Sequence, residues 1–152
     1  MSKPEEIKSS RLVAASREDV FEAFSNPERL ALWWGPKGFT NTFKEFGLRP
    51  GGAWRFVMHG PDGSDYENVS EFIEVAHPSR IVFRHLEPVH RFLMTMTFED
   101  RAGKTALTWT MLFESPQTPQ LRGFIEGANE QNFDRLEAHL REYKGPHARA
   151  TC

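Results

Sequence analysis

Cysteine is nearly absent. The chain has 152 residues and one cysteine, Cys152, at the last position. No internal disulfide can form, and a reducing, cytoplasmic setting is the expectation. An excess of basic charge is also missing. The formal net charge is −2 and the pI is about 6.3, which argues against nucleic-acid binding, a function that ordinarily shows a basic face. Long apolar runs are lacking: the longest is Leu30-Ala31-Leu32-Trp33-Trp34, far below the ~20 residues of a membrane-spanning helix. The opening Met1-Ser2-Lys3-Pro4-Glu5-Glu6 is polar and acidic, unlike a signal peptide. Familiar catalytic signatures are missing too. There is no Gly-x-Ser-x-Gly elbow. Gly51-Gly52 precedes a strand pattern, whereas phosphate-binding loops open a helix. His59, His77, His85, His90, His139 and His147 form no His-x-x-x-His pair, so no metal and no cofactor are expected. No repeat, low-complexity stretch or internal linker divides the chain.

What is abundant is aromatic. Thirteen Phe and four Trp can fill a core or line a cavity, and composition does not choose between the two. With 39% hydrophobic and 26% charged residues, a packed core is expected. The reading is one domain over residues 1–143, followed by a flexible tail over 144–152 that contains Gly145 and Pro146.

Glu6 to Val13 reads as a first strand. Ser16-Arg17-Glu18-Asp19 resembles a capping box, and Val20, Phe21 and Phe24 follow at helical spacing. Asn26-Pro27 starts a second short helix, as N-cap and first helical residue. Gly35 can take the left-handed conformation that ends it, and Pro36 stops continuation. Six strands follow, at roughly 40–48, 53–59, 65–75, 80–86, 90–99 and 105–114, separated by short turns that predict antiparallel hairpins. Trp54, Phe56 and Met58 share one face. So do Phe92, Met94, Met96 and Phe98, and likewise Leu107, Trp109, Met111 and Phe113.

Residues 119–143 read as one long helix. Leu121, Phe124, Ile125, Ala128, Asn132, Leu136 and Leu140 fall near one stripe. Gly123 and Gly127 inside it predict either close approach of the helix to the sheet, or a loosened turn, or space left for a ligand. The order is β-α-α-β-β-β-β-β-β-α, an α+β arrangement in which a helix crosses a curved sheet and leaves a gap.

This order resembles the helix-grip fold of the START-like superfamily, also called polyketide cyclase-like or SRPBCC. Within it the chain is similar to stand-alone members of the activator of heat shock protein 90 ATPase homologue group. Trp33-Trp34-Gly35-Pro36, the run from Arg49 to Phe56, His59-Gly60-Pro61-Asp62-Gly63, the run from Glu74 to Val82 and the run from Asn129 to Leu136 carry the resemblance, which spans about residues 6–143. It implies a curved sheet of about seven strands around the C-terminal helix, with a pocket between them. It does not imply one reaction. Relatives bind lipids, hormones or aromatic polyketides, and some catalyse cyclisation or dehydration.

The functional expectation is a small apolar or aromatic ligand, held in that cavity with or without lyase- or cyclase-type acid–base activity. The candidate ligand-binding residues are Trp34, Trp54, Phe56, Met58, Tyr66, Asn68, His85, Met94, Trp109 and Met111. Each apolar one is equally an ordinary core residue. The acid–base candidates are Tyr66, Glu67, Asn68, His59, His85 and Glu114. If Met58 pairs with Tyr66, then Tyr66, Asn68, Ser70 and Phe72 face inward; a slip of one residue turns Glu67 and Val69 inward instead. A Tyr66–His85 pair could move a proton on a carbonyl compound. His85 and His90 flank one turn and are expected to be solvated. Two alternatives stand beside the ligand reading: a chaperone-associated interaction protein, and a fold whose own rings collapse the pocket. Monomer and homodimer both remain open.

Overall fold

The computed structural model describes residues 5–87 and 91–143. The elements are β1 (Glu5–Val13), α1 (Arg17–Ser25), α2 (Pro27–Trp33), β2 (Thr40–Phe46), β3 (Ala53–His59), β4 (Asp65–Ala76), β5 (Arg80–Glu87), β6 (Phe92–Arg101), β7 (Lys104–Phe113) and α3 (Pro119–Glu142). The expected loose tail, His147, Cys152 and the turn residue His90 lie outside the described residues.

The seven strands form one antiparallel sheet in the order β1-β7-β6-β5-β4-β3-β2. Six strands follow one another as hairpins, and β1 joins the far edge beside β7. Register shifts at Phe43/Glu45, Val69/Ser70 and Phe72/Glu74 break the regular pairing of the β2–β5 half. Such irregularities bend strands, and two of them fall on β4, whose Tyr66, Asn68 and Ser70 line the cavity. Met58 pairs with Tyr66, so Asn68, Ser70 and Phe72 face inward with Trp54 and Phe56.

The two short helices carry β1 across to β2. Ser16 Oγ accepts from the Asp19 N–H at 3.2 Å, one arm of the expected capping box. Asn26 Oδ1 accepts from the Glu28 N–H at 3.0 Å, and Pro27 opens α2. Gly35 follows with φ +102°, and a Cβ placed there would lie 2.6 Å from Met58 Cε. Only glycine takes this backbone at that contact without strain.

α3 starts at a Thr118 cap, whose Oγ1 accepts from the Leu121 N–H at 3.1 Å. Two flanks hold it. On one side Arg11 of β1 pairs with Glu130, Asp134 and Glu137 at 2.7–2.8 Å, and Arg122 pairs with Glu5. On the other side Asn132 and Arg135 bond the end of α2. Among the described elements, the backbone of α3 comes near β1, α1 and α2 alone. The span over the middle of the sheet therefore stays open.

Two expectations about α3 need correction. Gly123 and Gly127 are exposed, and a Cβ at either would meet nothing within 4 Å, so they do not mark close approach to the sheet. Phe124, placed on the inward stripe by its spacing, is 66% exposed. The buried face keeps Asn132 and Leu136 of the expected stripe and adds Asn129 and Phe133. The inward stripe follows the contacts to Arg11 and to the end of α2, which fall between Glu130 and Glu137.

Candidate functional site

Between α3 and the concave face of the sheet lies a cavity of about 440 Å³. That is within the size range of small-molecule sites, and the surrounding rings do not fill it. All ten candidate residues from the sequence lie on its wall: Trp34, Trp54, Phe56, Met58, Tyr66, Asn68, His85, Met94, Trp109 and Met111. The choice between core and lining dissolves for most of them. Trp54 and Trp109 are almost wholly buried members of the core cluster and also bound the cavity.

The apolar wall is a continuous set of rings. Trp34 lies 5.2 Å from Trp54 and 5.3 Å from Trp109, centroid to centroid. Trp54 stacks on Phe56 at 4.6 Å, and Trp109 meets Phe133 edge-on at 4.6 Å. These offset and edge-on arrangements suit the ring quadrupoles. Met58, Met94 and Met111 add flexible thioether surface. The indole N–H groups of Trp54 and Trp109 are buried with no acceptor among the described residues.

The polar part of the wall is confined to a few places. On β4, Tyr66, Asn68 and Ser70 stand in a row, and His85 of β5 is the register partner of Ser70. Tyr66 is 42% exposed and Phe124 is 66% exposed; these two rings mark the side where the cavity meets solvent. Tyr66 is four residues along β4 from Ser70, about 13 Å at ~3.3 Å per residue. Tyr66 and His85 therefore occupy opposite ends of the row. His85 is buried, with its ring stacked on Phe92 at 4.8 Å and 21°, which corrects the expectation of a solvated hairpin histidine. Packing against the Phe92 ring draws it inward.

On α3, Asn129 Nδ2 donates to Ser9 Oγ at 3.1 Å. Asn132 accepts from the Gly35 N–H at 3.2 Å and donates to the Trp33 carbonyl at 3.0 Å. Arg135 donates to the carbonyls of Leu32, Trp34, Gly35 and Pro36 at 2.9–3.3 Å. These bonds fix Trp34, Gly35 and Pro36 as one wall. Burial pulls the Arg135 pKa below the ordinary arginine value, because carbonyl dipoles rather than a carboxylate face its charge.

Three acid–base candidates do not reach the cavity. Glu67 points to the outer face and pairs with Lys44 at 2.9 Å; that hydrogen bond and charge lower its pKa. Glu114 is exposed. His59 lies on the outer face, where its Nε2 is 2.8 Å from Thr42 Oγ1 and its Nδ1 is 2.7 Å from Asp65 Oδ1. That is the order hydroxyl, imidazole, carboxylate, but it stands on the open outer side of the sheet. Among the described residues, no three of His, Cys, Asp and Glu are grouped so as to hold a metal ion. No described helix is long and apolar enough to cross a membrane.

Several lining residues were not among the sequence candidates. Phe83 follows from period two along Ile81, Phe83 and His85, a pattern that was available in β5. Ser70 shares the face of Asn68. Gly35, Pro36, Phe39 and Asn129 carry no periodic signal, because loop geometry and a tertiary hydrogen bond place them.

A curved antiparallel sheet gripping a C-terminal helix, with two short helices between its first two strands and a cavity under the long helix, defines a START-like helix-grip protein. A family profile described as "Activator of Hsp90 ATPase homolog 1-like protein" matches residues 14–141, and the chain belongs to that family. Solved structures of similar fold include a protein from Arthrobacter aurescens, 23% identical with TM-score 0.82 over 91% of this chain and 87% of that one. A protein from Chromobacterium violaceum is 22% identical with TM-score 0.80, covering 91% and 98%. Another from Mycobacterium smegmatis is 24% identical with TM-score 0.77, covering 91% of each chain. At this identity they speak to the fold. No curated protein matches the sequence.

Proposed function

We propose that this chain binds a small apolar or aromatic molecule in the cavity between the sheet and α3. The observation that carries the reading is the cavity itself, about 440 Å³ walled mainly by Trp, Phe and Met side chains. A ligand there exchanges hydrated apolar surface for contact with rings, which is the main driving force for such binding. If turnover accompanies binding, His85 is the group placed to move a proton, with Ser70 beside it in register.

The chaperone reading rests on the family description alone. Among the described residues, the exposed large apolar side chains away from the cavity mouth are Leu12, Leu32, Ile73 and Leu112; even Leu12 and Leu112, on the adjacent strands β1 and β7, are six residues apart in register, whereas a docking face needs a contiguous patch.

Native mass spectrometry of gently purified protein tests the proposal. The expected result is a stoichiometric small-molecule adduct that denaturation releases. Ala128→Phe, which places a ring in the cavity, should remove the adduct while the thermal midpoint holds. A bare protein mass, together with no uptake from a library of aromatic compounds, would overturn it.

A further inference from the structure

The row on β4 says more about the occupant. Ser70 is 2% exposed and Asn68 is 8% exposed, yet both line the cavity. Asn68 Nδ2 donates to the Tyr66 carbonyl at 3.1 Å, and its Oδ1 has no partner among the described residues. Ser70 Oγ likewise makes no hydrogen bond among them. A polar atom on this wall costs free energy if an occupant shuts water out and leaves it unpaired, and both residues line the cavity beside the Trp54 and Trp109 indole N–H groups, which are buried without an acceptor among the described residues. The two asparagines of α3 are already committed, Asn129 to Ser9 and Asn132 to the end of α2. No Asp, Glu, Lys or Arg is among the described lining residues. The nearby cation, Arg135, spends its N–H groups on four backbone carbonyls.

Resting on the cavity reading above, we infer that the occupant carries an uncharged hydroxyl or carbonyl that faces β4. A hydroxyl donates to Asn68 Oδ1 and accepts from the Ser70 hydroxyl; a carbonyl accepts from Ser70. The rest of the molecule is apolar and lies against Trp34 and Trp109. Among the described lining residues His85, packed flat on Phe92, is the one side chain able to carry positive charge, and a carboxylate facing β4 at Asn68 and Ser70 rather than His85 is buried unpaired at a cost.

Equilibrium dialysis of the full chain against naphthalene, 1-naphthol and 1-naphthoate at pH 7.5 tests this. Transfer from water into an apolar space favours naphthalene, because the hydroxyl must be desolvated. The expected order is the reverse, with 1-naphthol held about tenfold more tightly than naphthalene, a factor that one good buried hydrogen bond supplies. 1-Naphthoate should bind weakest. Ser70→Ala and, separately, Asn68→Leu should erase the preference, so that each variant holds naphthol no more tightly than it holds naphthalene; thermal melts identify a variant that fails to fold. Naphthalene bound as tightly as naphthol would overturn the polar contact while the cavity reading stands. Naphthoate bound tightest would overturn the uncharged group. Binding of none of the three would overturn both readings.

Discussion

Arg135 decides where the Trp34 wall stands. Its guanidinium reaches four carbonyls: those of Leu32 and Trp34 are ones that α2 leaves without internal partners, and those of Gly35 and Pro36 lie in the loop just beyond. The planar fork matters, because two nitrogens serve different carbonyls at once, and a lysine ammonium is a single point on a flexible stem. Arg135→Lys should therefore keep the charge and still lose about 1–2 kcal/mol in urea unfolding. Wild-type stability in that variant would show that the bonds contribute nothing. The sequence reading passed over this residue for a physical reason. Periodicity sorts side chains by hydropathy and files every arginine on the surface. Asn132, by contrast, fell on the predicted stripe, and the structure gives it two bonds to α2. Trp54, Phe56, Met58, Met94, Trp109 and Met111 were legible because strand alternation assigns a face without knowledge of the partner, whereas Tyr66 and Asn68 waited on the β3–β4 register, His85 on its packing against Phe92, and Trp34 lies on no strand.

At the scale of elements, α3 is two half-helices with different duties. The second half carries the bonds to α2 and two of the three Arg11 ion pairs, and Phe133 and Leu136 are fully buried there, while Arg122 and Asn129 tie the first half to β1. The first half crosses the cavity mouth, which is why an apolar period ran through Phe124 and yet did not predict burial. A helical stripe marks what could be covered, and only the neighbouring element settles whether it is. Gly123 and Gly127 weaken this half without any packing in return. Alanine at each position should stabilise the protein by about 0.5–1 kcal/mol, since helix interiors favour Ala over Gly by that amount. Differential scanning calorimetry on the single and double variants reads it directly. A fall in midpoint for both would mean that this half of the helix must deform in the folded state. Gly52 answers to a different constraint: a Cβ there would sit 1.8 Å from the Gly47 carbonyl oxygen, so the turn before β3 admits no side chain.

For the whole molecule, the far end of α3 ties the chain's fold to pH. Arg29 of α2 is buried. Its Nε donates to His139 Nε2 at 3.0 Å, and its guanidinium lies 3.8 Å over the Tyr143 ring. Glu22 faces the same arginine at 3.3 Å. Accepting that hydrogen bond requires an unprotonated Nε2. Burial lowers the His139 pKa below 6.5, the Arg29 charge lowers it further, and Glu142 opposes them. The folded chain therefore resists a proton that the unfolded chain takes up, and linkage gives the sign. The contribution of His139 is fully present above pH 6.5 and is lost as pH falls through its lower folded value. The lowered carboxylates, Glu5, Asp62 and Glu67, start from 3.8–4.5, so their loss comes at more acidic pH and the two windows separate. Urea midpoints measured from pH 8 to pH 5 should decline for the wild type across the histidine window. They should stay nearly flat for His139→Gln, whose amide can still accept from Arg29 and takes no proton. An equal decline in both proteins would assign the acid sensitivity to another group and leave the Arg29–His139 contact as packing alone.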